Sequence, residues 1–292
     1  MWSSMCSQRG PMACEDAFMY VQYHTLILLH RFRWVFCQLE TLRHCLPPSV
    51  RSILAELPKT LDETYERILQ EIPKSNQEHA HRLLQCLTVA IRPLRVKELA
   101  EVLAIDFGTL EEIPRLNEAL RWEDQEQAVL SACSSLIAVI EIDDQDSRVV
   151  QFSHFSVKEF LTSDRLATST MGASSYHHIS PEPANIIMAR ACLSVLLRSD
   201  ALINEASIED FPLAEYAAEH FGDHAEFPGV LSQIRDVVDP LLDADRPHFA
   251  SWVWMSPPSQ IRTRNRQWLE IIPLYYVAAR RFGGLPHFKA SR

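Results

Sequence analysis

The sequence predicts a mainly helical fold with one short β-hairpin, and three observations carry that prediction. Glycine occurs only seven times and proline seventeen times, which suits helices joined by proline-punctuated turns better than an all-β fold. Apolar residues recur three and four positions apart in short stripes separated by polar gaps. The spacing changes to that of strands in one place only, between Leu136 and Phe152. The 292 residues are 47% hydrophobic and 23% charged, an ordinary globular composition that can bury a sizeable core, with room for two compact domains or for one domain plus a helical extension.

Residues 1–31 are poorly specified, because Met, Ser, Cys, Gln and Gly mix without period until Tyr20. From Arg31 a helical stripe begins with Val35, Leu39 and Leu42, and Pro47-Pro48 ends it. Ser49 is a fitting N-cap for a helix that buries Val50, Ile53, Leu54 and Leu57 and stops at Pro58. Thr60 and Glu63 form a capping box ahead of Leu61, Tyr65, Ile68, Leu69 and Ile72, with Pro73 closing the helix. Residues 32–75 are therefore expected to pack as a small, lid-like helical bundle.

The next unit spans 76–166. A helix is expected from about Asn76 to Ala90, burying Leu83, Leu84 and Leu87. A short one follows with Val96, Leu99, Ala100 and Leu103 inward. After polar sequence comes a third, from about Gln127 to Ser134. Leu136–Ile142 and Val149–Phe152 then read as two strands joined by the polar turn Asp143–Ser147. Ser156 and Glu159 have capping-box spacing for a further helix with Val157, Phe160 and Leu161. Three helices followed by a hairpin is the order of a winged helix. Residues 167–183, rich in Ser, Thr and His, read as a linker. The region 184–292 is expected to be helical at Ala184–Leu197, Pro212–Phe221, Val230–Leu242 and Leu274–Phe282.

The net charge of −10 repels nucleic acid and anionic membrane at long range. It is uneven. From Arg246 onward there are eight Arg/Lys and one acid, Glu270, a balance of +7 that leaves −17 on the first 245 residues. The seven cysteines, Cys6, Cys14, Cys37, Cys45, Cys86, Cys133 and Cys192, include no C-x-x-C pair, and several lie on apolar faces. They read as reduced, buried thiols. The apolar stretch from Ala17 to His30 contains two histidines, follows Glu15 and Asp16, and is too short to span a bilayer. A cytoplasmic protein is expected.

Several runs carry a resemblance. Phe32-Arg33-Trp34-Val35-Phe36-Cys37-Gln38-Leu39-Glu40, Leu57-Pro58-Lys59-Thr60-Leu61-Asp62-Glu63-Thr64-Tyr65 and Arg92-Pro93-Leu94-Arg95-Val96-Lys97-Glu98-Leu99 occur in that order. They resemble the segments that follow the nucleotide-binding core of fungal NACHT–ankyrin proteins of the STAND type. The stretch Val150 to Leu161 resembles the end of their winged helix, a module also called the GPI inositol-deacylase-type winged helix. Pro212 to Phe221 is similar to a helix that follows in the same group, and Pro273 to Ala279 to the opening of an ankyrin repeat. The resemblance implies signalling ATPases that switch by nucleotide exchange and bind protein partners. Two departures stand out. His30 and Arg31 occupy the place of a family glycine, and residues 1–31 do not resemble a NACHT core. The chain reads as a fragment, ending before one ankyrin repeat could finish.

The chemistry-bearing motifs of an enzyme are missing. A P-loop needs two glycines five positions apart and a following lysine, so that backbone amides can wrap phosphate. The glycines, at 10, 108, 172, 222, 229, 283 and 284, include no such pair. The G-x-S-x-G elbow of hydrolases is absent too, so no catalytic residue, enzyme activity or cofactor is expected. No metal site is expected either. His79 and His81 are two apart on a helix and point to different sides, and His177-His178 falls in a loop.

His154 is the candidate of most interest. The resemblance places it where related proteins carry a histidine that senses bound ADP, an imidazole being able to donate to phosphate. The alternative is a structural role in the turn before the following helix. Arg262, Arg264 and Arg266 beside Trp268 are a candidate anion contact, or a solvated loop. Trp252, Trp254, Tyr275 and Tyr276 read as the core of a terminal helical unit, with a partner surface as the alternative. DNA binding is not expected. Val129 to Ser134 offers no basic reader and the wing turn Asp143-Asp144-Gln145-Asp146 repels phosphate. The sequence thus points to a non-catalytic regulatory or protein-interaction module. The alternative is a subunit of a split nucleotide switch that contributes His154 to another chain's nucleotide in trans.

Overall fold

The structure is a computed structural model and describes residues 33–39, 49, 55, 57–142, 148–168, 175–198, 207–243 and 247–256. Helix α1 (33–39) buries Arg33, Cys37 and Gln38. It is tied down by Trp34 Nε1, which donates to the Pro58 carbonyl at 3.0 Å, and by Gln38 Nε2, which donates to Thr64 Oγ1 at 3.0 Å. Helix α2 (Leu61–Glu71) starts at Thr60, whose side chain accepts the Glu63 amide as the spacing predicts. The reciprocal bond is shifted by one residue, with the Glu63 carboxylate accepting from the Lys59 amide at 2.8 Å. The inward residues of α2 include Tyr65 and Leu69.

The winged helix follows in the order α3 (Gln77–Val89), β1 (Leu94–Arg95), α4 (Val96–Leu103), α5 (Gln125–Cys133), β4 (Ile137–Glu141) and β5 (Arg148–Phe152), with β2 (Ile105–Asp106) and β3 (Arg115–Leu116) inserted after α4. The sheet order is β1-β5-β4, antiparallel throughout, with Leu94 opposite Val150 and Ile137 opposite Phe152. The three helices and the hairpin are where the periodicity put them, within two residues. Strand β1 is an addition: two residues have no period to read, and they become a strand only because β5 is beside them. Between α4 and α5 the polar stretch is not featureless, since β2 and β3 pair Ile105 with Leu116 and Asp106 with Arg115.

One local expectation is corrected. Helix α6 (Phe155–Leu161) is not capped by Ser156. Its N-cap is His154, in extended conformation, whose side chain accepts the Ser156 amide. The Ser-x-x-Glu spacing at 156–159 is fortuitous, because the helix starts one residue ahead of Ser156. Helix α7 (Asp164–Ala167) is capped in the usual way by Ser163.

Helix α8 (Pro181–Leu196) begins inside the predicted linker, with proline in its first turn. Nearly every side chain from Ala184 to Leu196 is buried, as befits a helix that is apolar all round. It packs on α3 on one side and on α9 (Ala214–Ala225) and α10 (Val230–Leu242) on another, with α11 (Pro247–Met255) against α9 and α10. Buried apolar residues from Tyr65 to Val253 form one contiguous cluster. Trp252 is in it, its Nε1 donating to the Ala218 carbonyl at 3.0 Å, while Trp254 is half-exposed. Tyr275, Tyr276, the ankyrin-like start and Arg262, Arg264 and Arg266 lie outside the described residues. Cys86, Cys133 and Cys192 are buried and form no disulfide. Burial pushes the Cys86 thiol up to about 12. Among the described residues no helix is long and apolar enough to cross a membrane.

Candidate functional site

His154 stands at the junction between β5 and α6, half-buried. Its Nδ1 lies 2.6 Å from Ser156 Oγ and 3.3 Å from the Ser156 amide nitrogen. An amide can only donate, so Nδ1 is the acceptor there. The Ser156 hydroxyl then donates to Nδ1 and accepts from the Tyr65 hydroxyl, 2.8 Å away. The relay Tyr65 to Ser156 to His154 puts the proton of the neutral imidazole on Nε2. Tyr65 is wholly buried, and that burial raises its phenol above the usual range.

The base of the same junction is gripped by α1. Arg33 Nη2 donates to the Ser135 carbonyl at 3.0 Å and to Ser153 Oγ at 2.6 Å. Ser153 Oγ donates in turn to the Ser135 carbonyl at 2.8 Å. The guanidinium lies 5.1 Å from the Phe36 ring centroid, and its Nε has no hydrogen-bond partner among the described residues. His154, Ser156, Tyr65 and Arg33 therefore come together from three separated stretches. Sequence reasoning singled out His154 alone. Arg33 and Tyr65 lie within the family-like runs, but their partners are 91 to 120 positions away, and no local pattern announces such contacts.

A second polar cluster joins the winged helix to the helices after it. Glu98 has no exposed surface. Arg92 grips it with two bonds of 2.7 and 2.8 Å, and the Arg95 amide adds a third at 2.7 Å. Arg95 reaches on to Glu215 at 3.0 Å, and the Arg92 guanidinium lies 4.9 Å from the Tyr216 ring centroid. The Tyr216 hydroxyl accepts the Ile91 amide at 3.1 Å and donates to His224 Nε2 at 2.9 Å. His224 Nδ1 donates to Asn185 Oδ1 at 2.8 Å. Burial holds His224 down to about 4, consistent with the neutral ring this chain of bonds requires. Two of the family-like runs, 92–99 and 212–221, thus meet in space.

A third contact fixes the β2–β3 insertion. Arg190, buried on α8, donates through Nη2 to the carbonyls of Phe107 and Thr109 and, at 3.0 Å, of Glu112. Nearby, Arg121 holds the buried carboxylate of Glu101 with bonds of 2.6 and 3.1 Å. On the face where a DNA-reading helix would stand, Glu126 of α5 is paired with Arg148 of β5. No group of three or more His, Cys, Asp or Glu side chains gathers to hold a metal among the described residues.

Comparison with known proteins agrees with this geometry. Residues 65–171 match the family model described as the GPI inositol-deacylase, winged helix domain. The chain is 32% identical over 207 residues to the azaphilone pigments biosynthesis cluster protein L of Monascus ruber. That alignment takes in 68% of this chain, and the chain spans 42% of the relative's length. No solved structure matches.

Proposed function

We propose, from the winged-helix match and the contacts on either side of it, that the chain is a non-catalytic regulatory and protein-interaction module of a NACHT–ankyrin-type signalling protein, acting in the cytoplasm through protein partners and not through DNA. The observation that carries this reading is the interlock of Arg92, Glu98 and Arg95 with Glu215 and Tyr216. Buried Glu98 fixes Arg92 and the Arg95 amide. Movement of the winged helix is felt by the following helices through the contacts that cross between them: the Ile91 amide on the Tyr216 hydroxyl, the Arg92 guanidinium on the Tyr216 ring and the Arg95–Glu215 pair. On the opposite side the Arg33 bonds couple α1 to the base of the wing. The module thus has a physical route for a signal in either direction.

A second reading is favoured by one feature. The relay through Ser156 fixes the imidazole with its proton on Nε2, and an imidazole N–H is the kind of group a nucleotide-sensing histidine turns to phosphate. In that reading the chain is part of a split nucleotide switch and contributes His154 in trans.

Calorimetric titration of ADP and ATP into the chain, with His154→Ala as control, separates the two. Absence of heat at high nucleotide, with no turnover gained on mixing with a NACHT core, leaves the interaction module. Nucleotide binding that His154→Ala abolishes, or stimulated turnover on mixing, replaces it with the switch.

A further inference from the structure

We propose that His81 and His177 form a binding site for a late first-row divalent metal ion of the Zn2+ class. His81 is on α3 and His177 is in the turn that launches α8, yet their ring centroids lie 5.8 Å apart. With metal–nitrogen bonds of about 2.0–2.1 Å, two imidazoles sharing one ion bring their centroids to roughly 5–6 Å. His177 is fully buried, and neither of its ring nitrogens has a hydrogen-bond partner among the described residues. The same holds for His81 Nδ1. Buried polar atoms are rarely left unmade, and an ion that takes one nitrogen from each ring satisfies two of these three.

The surroundings suit a soft-to-borderline cation. Each ring can offer a neutral, lone-pair-bearing nitrogen, the form of histidine that binds metal. Tyr176 covers the pair, its ring 5.1 Å from His81 and 5.2 Å from His177, and is itself half-exposed, so that solvent reaches the rim. One turn before His81, the Glu78 carboxylate is occupied by Arg82. With two protein ligands and remaining positions for solvent, the ion is exchangeable, and when bound it ties α3 to the start of α8.

The test is calorimetric titration of Zn2+ into the untagged full chain. One site of micromolar affinity is expected. Changes around metal ligands already cost roughly 10–100-fold in affinity, so His81→Gln and His177→Gln should each weaken binding at least about tenfold. His79→Gln, an exposed neighbour, should not. Each variant is checked by circular dichroism for a native fold. Because replacing a fully buried ring can unfold the chain, pulsed EPR of Cu2+ bound to the unsubstituted chain gives an independent reading, and two coupled imidazole nitrogens are expected. Absence of Zn2+ binding, binding that survives both substitutions, or a Cu2+ signal with fewer than two imidazoles overturns the proposal.

Discussion

Glu98 carries a carboxylate into a place with no solvent at all, and its stability rests on Arg92 and the Arg95 amide. Removing one partner of a buried ion pair typically costs about 3–5 kcal/mol, because the other charge is stranded. Arg92→Ala is therefore expected to lower unfolding stability by about that amount in urea titrations, and Arg92→Ala with Glu98→Leu to recover most of it. The histidines make a pH prediction. Burial lowers His81, His177 and His224 from 6.5 to about 4 in the folded chain. The unfolded chain binds more protons between those values. Stability is thus complete above pH 6.5 and is lost as pH falls toward 4, by on the order of 3 kcal/mol per ring. Urea midpoints measured from pH 7.5 to 4.5 should fall steeply, and the His224→Gln variant, once folded, should show a shallower fall.

At the scale of elements, the cap and turn chemistry is testable one helix at a time. His154→Ala removes the acceptor at the start of α6 and should cost about 1 kcal/mol, the usual value of an N-cap. Gly229, the N-cap of α10, has φ of +89°, and a Cβ there would collide with the Glu182 carboxylate, which holds Gln233 at 2.5 Å. Gly229→Ala should therefore cost about 1–2 kcal/mol of left-handed strain, read as a lower melting temperature with native circular dichroism. The elements that could be read from sequence were those with a stripe or a stop signal of their own. Helix α10 starts and ends where Val230 and Leu242 place it. Strand β1 could not be read, since Leu94 and Arg95 are extended only because Val149 and Val150 lie opposite. The cap of α6 was misplaced because Ser156 and Glu159 imitate a capping box, whereas histidine is an unusual cap. His154 was legible through its setting in a family-like run. Its relay to Tyr65 was not, because it depends on α2 meeting a residue 91 positions further along the chain.

At the scale of the molecule, one contiguous core runs from Tyr65 to Val253. Helix α8, buried on nearly every face, belongs at once to the winged helix and to the helices beyond it. A single cooperative unfolding transition is expected in calorimetry, with equal van't Hoff and calorimetric enthalpies. Two resolved transitions would show that the winged helix and the later helices stand separately. The Arg190 clamp has a different kind of consequence. It takes hold of the carbonyls of Phe107, Thr109 and Glu112, groups that every amino acid possesses. Its grip is blind to side-chain identity, so at the exposed Leu110 and Ile113 the facing is interchangeable, while Phe107, buried under Arg82 and Arg190, and Gly108, with φ of +50°, stay fixed by their own surroundings.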